Sequence, residues 1–575
     1  MCYSIILGVI GASIDETVEA ALKMRAIACI PWRKTMDYDY IVVGGGSSGC
    51  VTAWRLVEKY GAKVLMLEAG YLDDNLLFRM PAGFFKMLGG SKYLNIYESE
   101  PQAQLGGRTT KVPQANVLGG GSSVNAMIYM RGKPSEYAEW DAAVGNQGGW
   151  NWEHILPYYT RLEGNERLNG PAHGIDGPLK VSDHKYICDM AHIFLKSMQG
   201  MGVPYTGDFN AGDQYGAGFM QITTDHGKRC SASVAFLNPI RKNKKFSLKT
   251  GAQVTRLLFE GDKAVGVEFI QNGKVQQARA GQEVVLTSGS YVSPKLLMLS
   301  GIGPAAELEK HGIKVRVDLP GVGQNLQDHH EVPVSAYTNG AYGYFGEERG
   351  AKMLVNGLQY LLFNSGPVAS NGAETCAFVN PITRDSDTTV KIYCVAMIYL
   401  DRDVFDVPPG HGVTFTLCLM RPKARGNIKL RSADPLDKVI INPNFLGHPD
   451  DLRTEIAAIR YAREILQTRP MADTIAREVL PGPELQTDAE LEAFCKRTVK
   501  TNYHPVGTCR MGLESDAMSV VTPELKVKGI DALRVFDASI MPNILSANTN
   551  APTMVIADKA VSMMMGEAPL PPAQI

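Results

Sequence analysis

The chain has 575 residues, of which 45% are hydrophobic and 20% are charged. These proportions are ordinary for a folded protein, so they exclude a wholly disordered chain. At roughly 150 residues per domain the length suggests about four domains, and two large domains also fit. The 58 basic and 59 acidic side chains leave a formal net charge of −1. That balance excludes a global attraction to nucleic acid or to an anionic membrane, and it is compatible with a local basic patch.

The ten cysteines are scattered between Cys2 and Cys509, and no two of them have C-x-x-C spacing. We therefore expect reduced, mostly buried thiols rather than a zinc site or a dense disulfide scaffold. The sequence has no apolar run of about 18 residues, so no membrane-spanning helix is expected.

Residues 1–36 are predicted to be an extension outside the main fold. Their apolar stretch, 4–12, has no preceding Lys or Arg, and three acidic residues follow it between positions 15 and 19. This pattern differs from that of a secretory signal or a mitochondrial transit peptide. We expect a cytoplasmic enzyme, with Met36 as a candidate start of the functional chain.

The first predicted elements form a β-α-β unit. A β-branched run predicts a strand over 38–43, and an amphipathic pattern predicts a helix over 50–60 that Gly61 ends. A second strand is predicted over 63–67, with Glu68 at its end. The loop between the first strand and the helix has the spacing G-x-G-x-x-G, which in this context is typical of dinucleotide binding.

Each glycine of this loop has its own expected role. Gly44 allows the tight turn, Gly46 lets a pyrophosphate approach the backbone, and Gly49 lets helix and strand pack closely. The helix N-terminus offers free N–H groups and the positive end of its dipole to the phosphates. Glu68, 24 residues after Gly44, is placed to bind ribose hydroxyls. The candidate contacts of this unit are Gly44, Gly46, Ser47, Ser48, Gly49, Glu68 and Ala69.

A second glycine-rich block, residues 116–127, has three successive glycines before two serines. This composition suits close backbone approach to a bulky, charged ligand. The alternatives are a glycine-rich turn between ordinary elements for the first loop and a flexible turn for the second block. Since the chain has no second β-α-β fingerprint for NAD, we predict one tightly held dinucleotide that carries its own redox ring, FAD.

Farther along, a strand is predicted over 283–287 and a helix over 295–300. With these blocks and two C-terminal segments, the chain resembles the glucose–methanol–choline (GMC) oxidoreductases from about residue 37 to about residue 565. The stretches that carry the resemblance, in the family's order, are 116–132, 289–303, 502–512, and 535–542 followed by 547–553.

The resemblance implies FAD and the oxidation of an alcohol to an aldehyde or ketone. Members that tether the flavin use a histidine at the position that is Val124 here, so we expect non-covalent FAD. Asn125 matches a flavin contact and Val254 an adenine contact, and Asp537 and Ala538 match pyrophosphate and ribityl contacts. The candidate contacts of the second block are Val117, Gly119, Gly121, Ser122, Asn125 and Ala126.

The resemblance also implies an α/β fold with two discontinuous domains. A Rossmann-like FAD-binding domain is expected over residues 37–140, 226–334 and 501–575. A substrate domain, an antiparallel sheet backed by helices, is expected over 141–225 and 335–500.

The chemistry needs a base, because an alcohol loses a hydroxyl proton as well as a hydride, which moves to the flavin N5. His504 is the candidate base, because the stretch 502–512 resembles the family's active-site histidine segment and a neutral imidazole accepts a proton near neutral pH. Asn548 matches the family's second active-site position and is expected to hydrogen-bond the substrate oxygen. Asn550 is expected to face the flavin. The Asn-Thr-Asn run at 548–550 is also interpreted as a helix N-cap, and the two roles are compatible because Pro552 suits the first helical turn. The helix predicted over 551–565 then directs its positive end at the reduced ring.

Two adjacent histidines, one glutamate and one basic segment are expected to have structural rather than catalytic roles. His329 and His330 are expected to be a structural pair at a domain edge, and no metal site is expected because no further ligands lie at metal spacing. Glu374 lies in a segment that approaches the active site in relatives. We expect a solvated or salt-bridged carboxylate there, and contact with a cationic substrate such as choline is the alternative. The basic residues of 421–432 are expected to form a solvated edge.

The sequence therefore predicts a FAD-dependent alcohol dehydrogenase or oxidase, whose flavin is reoxidised by oxygen, a quinone or another acceptor. A small-molecule alcohol is the expected partner, with no nucleic acid. The alternative is an enzyme similar to FAD-containing hydroxynitrile lyases, which catalyse no net redox reaction. A flavoprotein without activity is disfavoured because the site residues are intact.

Overall fold

The computed structural model describes residues 37–400 and 407–574. The expectations for residues 1–36, including Met36 as a start, fall outside the described residues. Within the described residues, no helix combines the length and the apolar character needed to cross a membrane.

The first sheet is built around the predicted β-α-β unit. Strand Tyr38–Val43 runs parallel to Val64–Leu67 on one side and to the end of Lys274–Leu286 on the other. Such a central parallel strand is an almost continuous apolar run because both of its faces are buried. From edge to edge, the strands are Phe246–Lys249, Val64–Leu67, Tyr38–Val43, Lys274–Leu286, Lys263–Gln271 and Ala252–Glu260, and Leu533–Val535 also pairs with Lys274–Leu286.

Helix Ser47–Glu58 connects the first two strands and confirms the predicted unit. It begins three residues before the predicted residue 50, because the serines and the glycine at 47–49 already form its first turn. It packs against helix Asn550–Met564, which the sequence predicts over 551–565. The Ser47 hydroxyl donates to Asn550 Oδ1 at 2.7 Å, so the two helix N-termini meet.

The strand predicted over 283–287 is the last part of the long strand Lys274–Leu286. This strand changes partners along its length. Its first part pairs antiparallel with Lys263–Gln271, and its last part pairs parallel with Tyr38–Val43.

The helix predicted over 295–300 begins six residues earlier and spans Gly289–Leu299. Pro294 lies inside it and has no N–H to offer the carbonyl of Ser290. Thr508 Oγ1 donates to that carbonyl at 2.6 Å instead. A side chain from a distant segment therefore lets the helix continue through its proline.

The second sheet is antiparallel throughout. Its strands, from edge to edge, are Ile475–Leu480, His330–Thr338, Gly412–Leu419, Val390–Val395, Thr375–Val379 and Gly216–Phe219, and Lys500–Thr501 also pairs with His330–Thr338. Alternate side chains of these strands pack against helices Asp189–Gly200, Pro449–Gln467 and Asp488–Thr498 in a separate apolar core. The other face looks toward the first sheet.

These two sheets confirm the predicted α/β fold, with a Rossmann-like unit and an antiparallel sheet backed by helices. The domain boundaries stay a prediction. One of them, between residues 334 and 335, falls inside strand His330–Thr338 of the second sheet.

Further helices and short paired strands complete the described chain. The helices are Gly83–Leu88, Gly121–Val124, Pro134–Ala143, Trp152–Leu162, Asn238–Ile240, Ala305–Lys310 and Gly350–Phe363. The strand pairs are Leu94–Glu98 with Lys111–Ala115, Glu163–Asn165 with Leu179–Val181, Thr224–Asp225 with Lys228–Arg229, Ile302–Gly303 with Val317–Asp318, and Asn427–Lys429 with Ile440–Asn442.

Two composition-based expectations are met within the described residues. All eight cysteines described are buried and free of disulfides. The basic side chains of 421–431 are exposed and alternate with buried residues, as expected for a solvated edge.

Candidate active site

A cavity of about 660 Å³ lies between the two sheets. Its lining includes the glycine loop after strand Tyr38–Val43 as well as His504 and Asn548. The second sheet contributes Tyr393 and Thr416 from its cavity-facing side. One cavity is therefore lined by both the predicted phosphate-binding loop and the predicted catalytic pair.

The first glycine loop has the geometry that its spacing predicts. Gly44 has φ +108°, and a Cβ there would lie 2.6 Å from the Thr287 carbonyl oxygen. A Cβ on Gly49 would lie 2.0 Å from the carbonyl oxygen of Gly44. A Cβ on Gly46, in contrast, would meet nothing closer than 3.8 Å and would project into the cavity. The open space at Gly46 fits a pyrophosphate against bare backbone.

The start of helix Ser47–Glu58 is suited to an anion. Its flanking residue, Gly46, has no side chain to cap the first N–H groups, and the first turn carries no acidic residue. Ser47 and Ser48 line the cavity at this point. Free N–H groups and the positive end of the helix dipole favour a phosphate here.

The Glu68 carboxylate is held rigidly at the cavity wall. Its Oε2 accepts from the Gly45 N–H and its Oε1 from the Gly70 N–H, each at 2.7 Å. Burial raises the pKa of Glu68, and these two hydrogen bonds oppose that shift. Each carboxylate oxygen keeps lone pairs for ribose hydroxyls. Ala69 and Val254 line the same end of the cavity.

The second glycine block packs directly on the first. The Gly119 N–H donates to the Gly45 carbonyl at 2.7 Å, and a Cβ on Gly120 would lie 2.7 Å from the Cα of Gly46. The residues of this block that line the cavity include Val117, Gly121, Val124, Asn125 and Ala126. Gly49, Gly119 and Ser122 are not among the lining residues and instead support the two loops from behind.

Asn125 has a buried neighbour that the sequence did not indicate. Its Oδ1 accepts from the backbone N–H of Met127 at 3.0 Å and from the Arg229 guanidinium at 2.8 Å. Burial lowers the pKa of Arg229 to about 9. These bonds fix the orientation of the Asn125 amide at the cavity wall.

The Asp537 carboxylate accepts hydrogen bonds that stabilise the start of helix Gly289–Leu299. Its Oδ2 accepts from the Gly289 N–H at 2.9 Å and from the Ser293 hydroxyl at 2.6 Å, and its Oδ1 accepts from the Ser539 N–H at 2.9 Å. Asp537 and Ala538 both line the cavity.

The N-cap interpretation of the Asn-Thr-Asn segment is wrong. Asn550 is the first residue of its helix, and the residue before the helix, Thr549, makes no side-chain cap. The Asn550 side chain accepts from Ser47 instead, because the two helix N-termini converge. Thr549 and Asn550 line the cavity, so the N-terminus of this helix faces it as expected.

His504, Asn548 and His329 form one hydrogen-bonded group. Asn548 Nδ2 lies 3.3 Å from His504 Nε2, and His504 Nδ1 lies 3.0 Å from His329 Nδ1. His329 Nε2 lies 2.9 Å from the carbonyl oxygen of Met420. The two imidazole rings are nearly perpendicular, at 89°.

The direction of each hydrogen bond in this group follows from the Met420 carbonyl oxygen, the acceptor at the end of the chain of hydrogen bonds. The Met420 carbonyl only accepts, so His329 carries its proton on Nε2 and presents an unprotonated Nδ1. His504 must then donate from Nδ1, which leaves its Nε2 free of a proton. That nitrogen accepts from the Asn548 amide at the cavity wall. The network therefore assigns the tautomer in which His504 presents a basic nitrogen to the cavity.

Two chain segments lock this arrangement. Residues 325–330 run beside 501–508, joined by mutual backbone hydrogen bonds between Gln327 and Val506. The Asp328 carboxylate accepts from the backbone N–H of His504 at 2.8 Å and from the Thr501 hydroxyl at 2.5 Å. Burial raises the pKa of Asp328 to about 7.

The prediction that His329 and His330 are both structural is right for His330 and wrong for His329. His330 is buried and packs its ring against Phe445. His329 contacts the candidate base, and burial lowers its pKa to about 3, which keeps it neutral. Among the described residues, no group of three or more His, Cys, Asp or Glu side chains could hold a metal.

The expectation for Glu374 is wrong. The side chain is fully buried rather than solvated, and its carboxylate accepts from the hydroxyls of Tyr344 and Ser370 rather than from a cation. Burial raises the pKa of Glu374. It lies behind the cavity wall, to which its neighbours Asn371 and Ala373 contribute.

Comparison with known proteins gives consistent matches along the chain. Two family models, both described as GMC oxidoreductase, match residues 38–331 and 422–557. The alcohol dehydrogenase (acceptor) of Pseudomonas putida is 40% identical over 538 residues, which cover 92% of this chain and 96% of the relative. The mitochondrial choline dehydrogenase of Homo sapiens is 37% identical over 566 residues, which cover 96% and 94%.

Solved structures share the fold. A pyridoxine 4-oxidase from Mesorbium loti has a TM-score of 0.84 at 29% identity, covering 92% of this chain and 100% of that one. A formate oxidase of Aspergillus oryzae RIB40 has a TM-score of 0.86 at 27% identity, covering 93% and 99%.

A Rossmann-like unit that opens into a cavity with a basic imidazole at its far end defines the class as a dinucleotide-dependent oxidoreductase. Within that class, the matches over most of the chain decide the family. The chain belongs to the GMC oxidoreductases. It is thus a FAD-dependent enzyme acting on CH–OH groups.

Proposed function

We propose that the chain oxidises an alcohol to an aldehyde or ketone, with His504 as the base and with FAD bound non-covalently. The observation that carries this proposal is the unprotonated Nε2 of His504 at the cavity wall, 3.3 Å from the Asn548 amide nitrogen. A substrate hydroxyl that contacts both groups, in place of their mutual hydrogen bond, donates its proton to His504 Nε2 and accepts a hydrogen bond from the Asn548 amide.

The electrostatics keep His504 ready to accept a proton. Burial, then neighbouring His329 and Lys391, hold the pKa of His504 well below its ordinary value. The imidazole is therefore neutral at neutral pH and takes up a proton only when the substrate supplies one. FAD, when bound, supplies the acceptor for the hydride that leaves the carbon.

The residues at the other end of the cavity fit the remainder of FAD. The open backbone at Gly46 and the start of helix Ser47–Glu58 would hold the pyrophosphate, and Glu68 would bind ribose hydroxyls. Val124 offers only hydrocarbon where a covalent link forms in some relatives, which supports a dissociable cofactor. The names of the relatives, alcohol dehydrogenase and choline dehydrogenase, support an alcohol as substrate.

The proposal is tested by mixing the FAD-loaded protein anaerobically with primary alcohols, polyols, aryl alcohols and hydroxynitriles. We expect at least one alcohol to bleach the visible flavin band and to yield its carbonyl product. A carbonyl formed from a hydroxynitrile with no bleaching by any alcohol would contradict the proposal in favour of a lyase. Oxygen uptake measured against dye reduction with the active alcohol then identifies the class of acceptor.

A further inference from the structure

Lys391 is a buried lysine on the face of the second sheet that looks into the cavity. It lies in strand Val390–Val395, two residues before Tyr393, which lines the cavity. Since side chains alternate between the two faces of a strand, Lys391 and Tyr393 share a face. Cross-strand pairing sets Lys391 beside Phe378 on one side and Cys418 on the other.

The Lys391 ammonium reaches the candidate catalytic pair. Its Nζ donates to Asn548 Oδ1 at 2.9 Å. It also lies 4.4 Å from the ring centre of Tyr393 and 5.1 Å from that of Phe378. The side chain is 0% exposed. A lysine buried this completely is rare unless a partner or a function compensates for the lost hydration.

The ammonium decides which way the Asn548 amide points. An ammonium group can only donate hydrogen bonds, so the amide oxygen must face Lys391. The amide nitrogen is thereby turned toward His504 Nε2, at 3.3 Å, and toward the Tyr393 hydroxyl, at 3.2 Å. With the opposite orientation, the amide would offer His504 Nε2 an acceptor and the substrate oxygen no donor.

No carboxylate in the described part of the chain forms an ion pair with Lys391. The nearest acidic residue in its cross-strand row, Glu331, pairs with Lys500 at 2.8 Å and also accepts from Asn502. The remaining titratable groups around Lys391 are neutral imidazoles, thiols and a phenol: His329, His504, Cys376, Cys418 and Tyr393. Within the described residues, the Lys391 ammonium next to Asn548 is therefore a positive charge with no carboxylate paired to it.

We propose that Lys391 is a positioning and specificity-determining residue, which fixes the Asn548 amide toward the substrate oxygen and makes the site select neutral over cationic alcohols. This inference rests on the proposed alcohol oxidation. The buried charge favours the negative charge that develops on the substrate oxygen as His504 takes the proton. The same charge repels a quaternary ammonium held two carbons away from the reacting hydroxyl.

The test compares choline with its uncharged isostere, 3,3-dimethylbutan-1-ol. We expect the wild-type FAD-loaded protein to be reduced by the isostere at least about tenfold more efficiently than by choline, measured as kcat/KM. In Lys391→Met, the ratio of kcat/KM for the isostere to kcat/KM for choline should fall at least threefold. The same variant should reduce its flavin with the isostere about 10- to 100-fold more slowly than wild type. Lys391→Arg keeps the charge and should keep the preference for the isostere.

A measurement on the wild-type protein makes the test independent of any folding defect in the variants. Burial lowers the pKa of Lys391 to about 8, so the lysine loses its charge as the pH rises through that value. The kcat/KM ratio of the isostere to choline should therefore fall above pH 8 in the wild-type protein and should stay high in Lys391→Arg.

The outcomes separate the two proposals. A wild-type preference that is absent, or that changes neither in Lys391→Met nor above pH 8, overturns the role of Lys391. The proposed alcohol oxidation is overturned instead if neither these two alcohols nor any alcohol of the wider panel reduces the flavin bound to the wild-type protein.

Discussion

Replacing His504 with alanine should slow anaerobic reduction of the flavin by an alcohol by about 10²- to 10⁴-fold, the range for loss of a general base. The reason is that Nε2 of His504 is the unprotonated nitrogen that the hydrogen-bond network directs at Asn548 in the cavity. FAD content should stay at the wild-type level, because among the described residues His504 hydrogen-bonds to Asn548, His329 and Asp328 and to no residue of the phosphate-binding loop. Rapid mixing with absorbance detection of the flavin measures this rate.

The matched control for that variant is His192→Ala. His192 is exposed and its ring contacts Phe219, away from the cavity. The control should be reduced at the wild-type rate. If His504→Ala matched it, His504 would have no part in the reaction.

Replacing Gly46 with valine should abolish retention of FAD while the protein still folds. A Cβ at this position meets no protein atom closer than 3.8 Å, so the side chain fits the cofactor-free fold. It would, however, fill the space in which the pyrophosphate approaches the backbone. Gly46→Ala should weaken FAD binding by roughly tenfold and Gly46→Val by more, since overpacking costs about 1–3 kcal/mol. FAD bound per chain after gel filtration measures the effect.

Gly357→Val is the control for the glycine variant. A Cβ at Gly357 meets no atom within 4 Å, and the residue lies in helix Gly350–Phe363, outside the cavity wall. It should retain FAD. Thermal unfolding of the FAD-free proteins should give the two valine variants similar stability. Full FAD occupancy in Gly46→Val would refute the placement of the pyrophosphate.

Local patterns predicted the cofactor end of the cavity well. The strand, glycine loop, helix and second strand, with Glu68 directly after it, lie within the 31 residues 38–68, and each element follows from its own composition. The exact helix starts were harder to predict. Helix Gly289–Leu299 runs through Pro294 because a hydroxyl from Thr508 satisfies the freed carbonyl, a contact that no local pattern reveals.

The catalytic end depends on contacts between distant parts of the chain. The third stretch of the resemblance pointed to His504, but its partners lie 175 and 44 residues away, at His329 and Asn548. Lys391 has no motif of its own, and its role follows only from the register of the second sheet. Alternation along strand Val390–Val395 could have placed it on the same face as Tyr393, but not beside Asn548.

The most direct test of the account is the pH dependence of a single anaerobic turnover of the FAD-loaded protein with an alcohol that the panel shows to be active. His504 must be unprotonated to accept the hydroxyl proton, and its pKa is held below the ordinary histidine value of about 6.5 by burial and by its neighbours. We predict flavin bleaching at a rate that is unchanged from pH 7 down to 6.5 and falls only at lower pH. A rate that rises as the pH falls would contradict a neutral His504 as the base, as would an unchanged profile in His504→Ala.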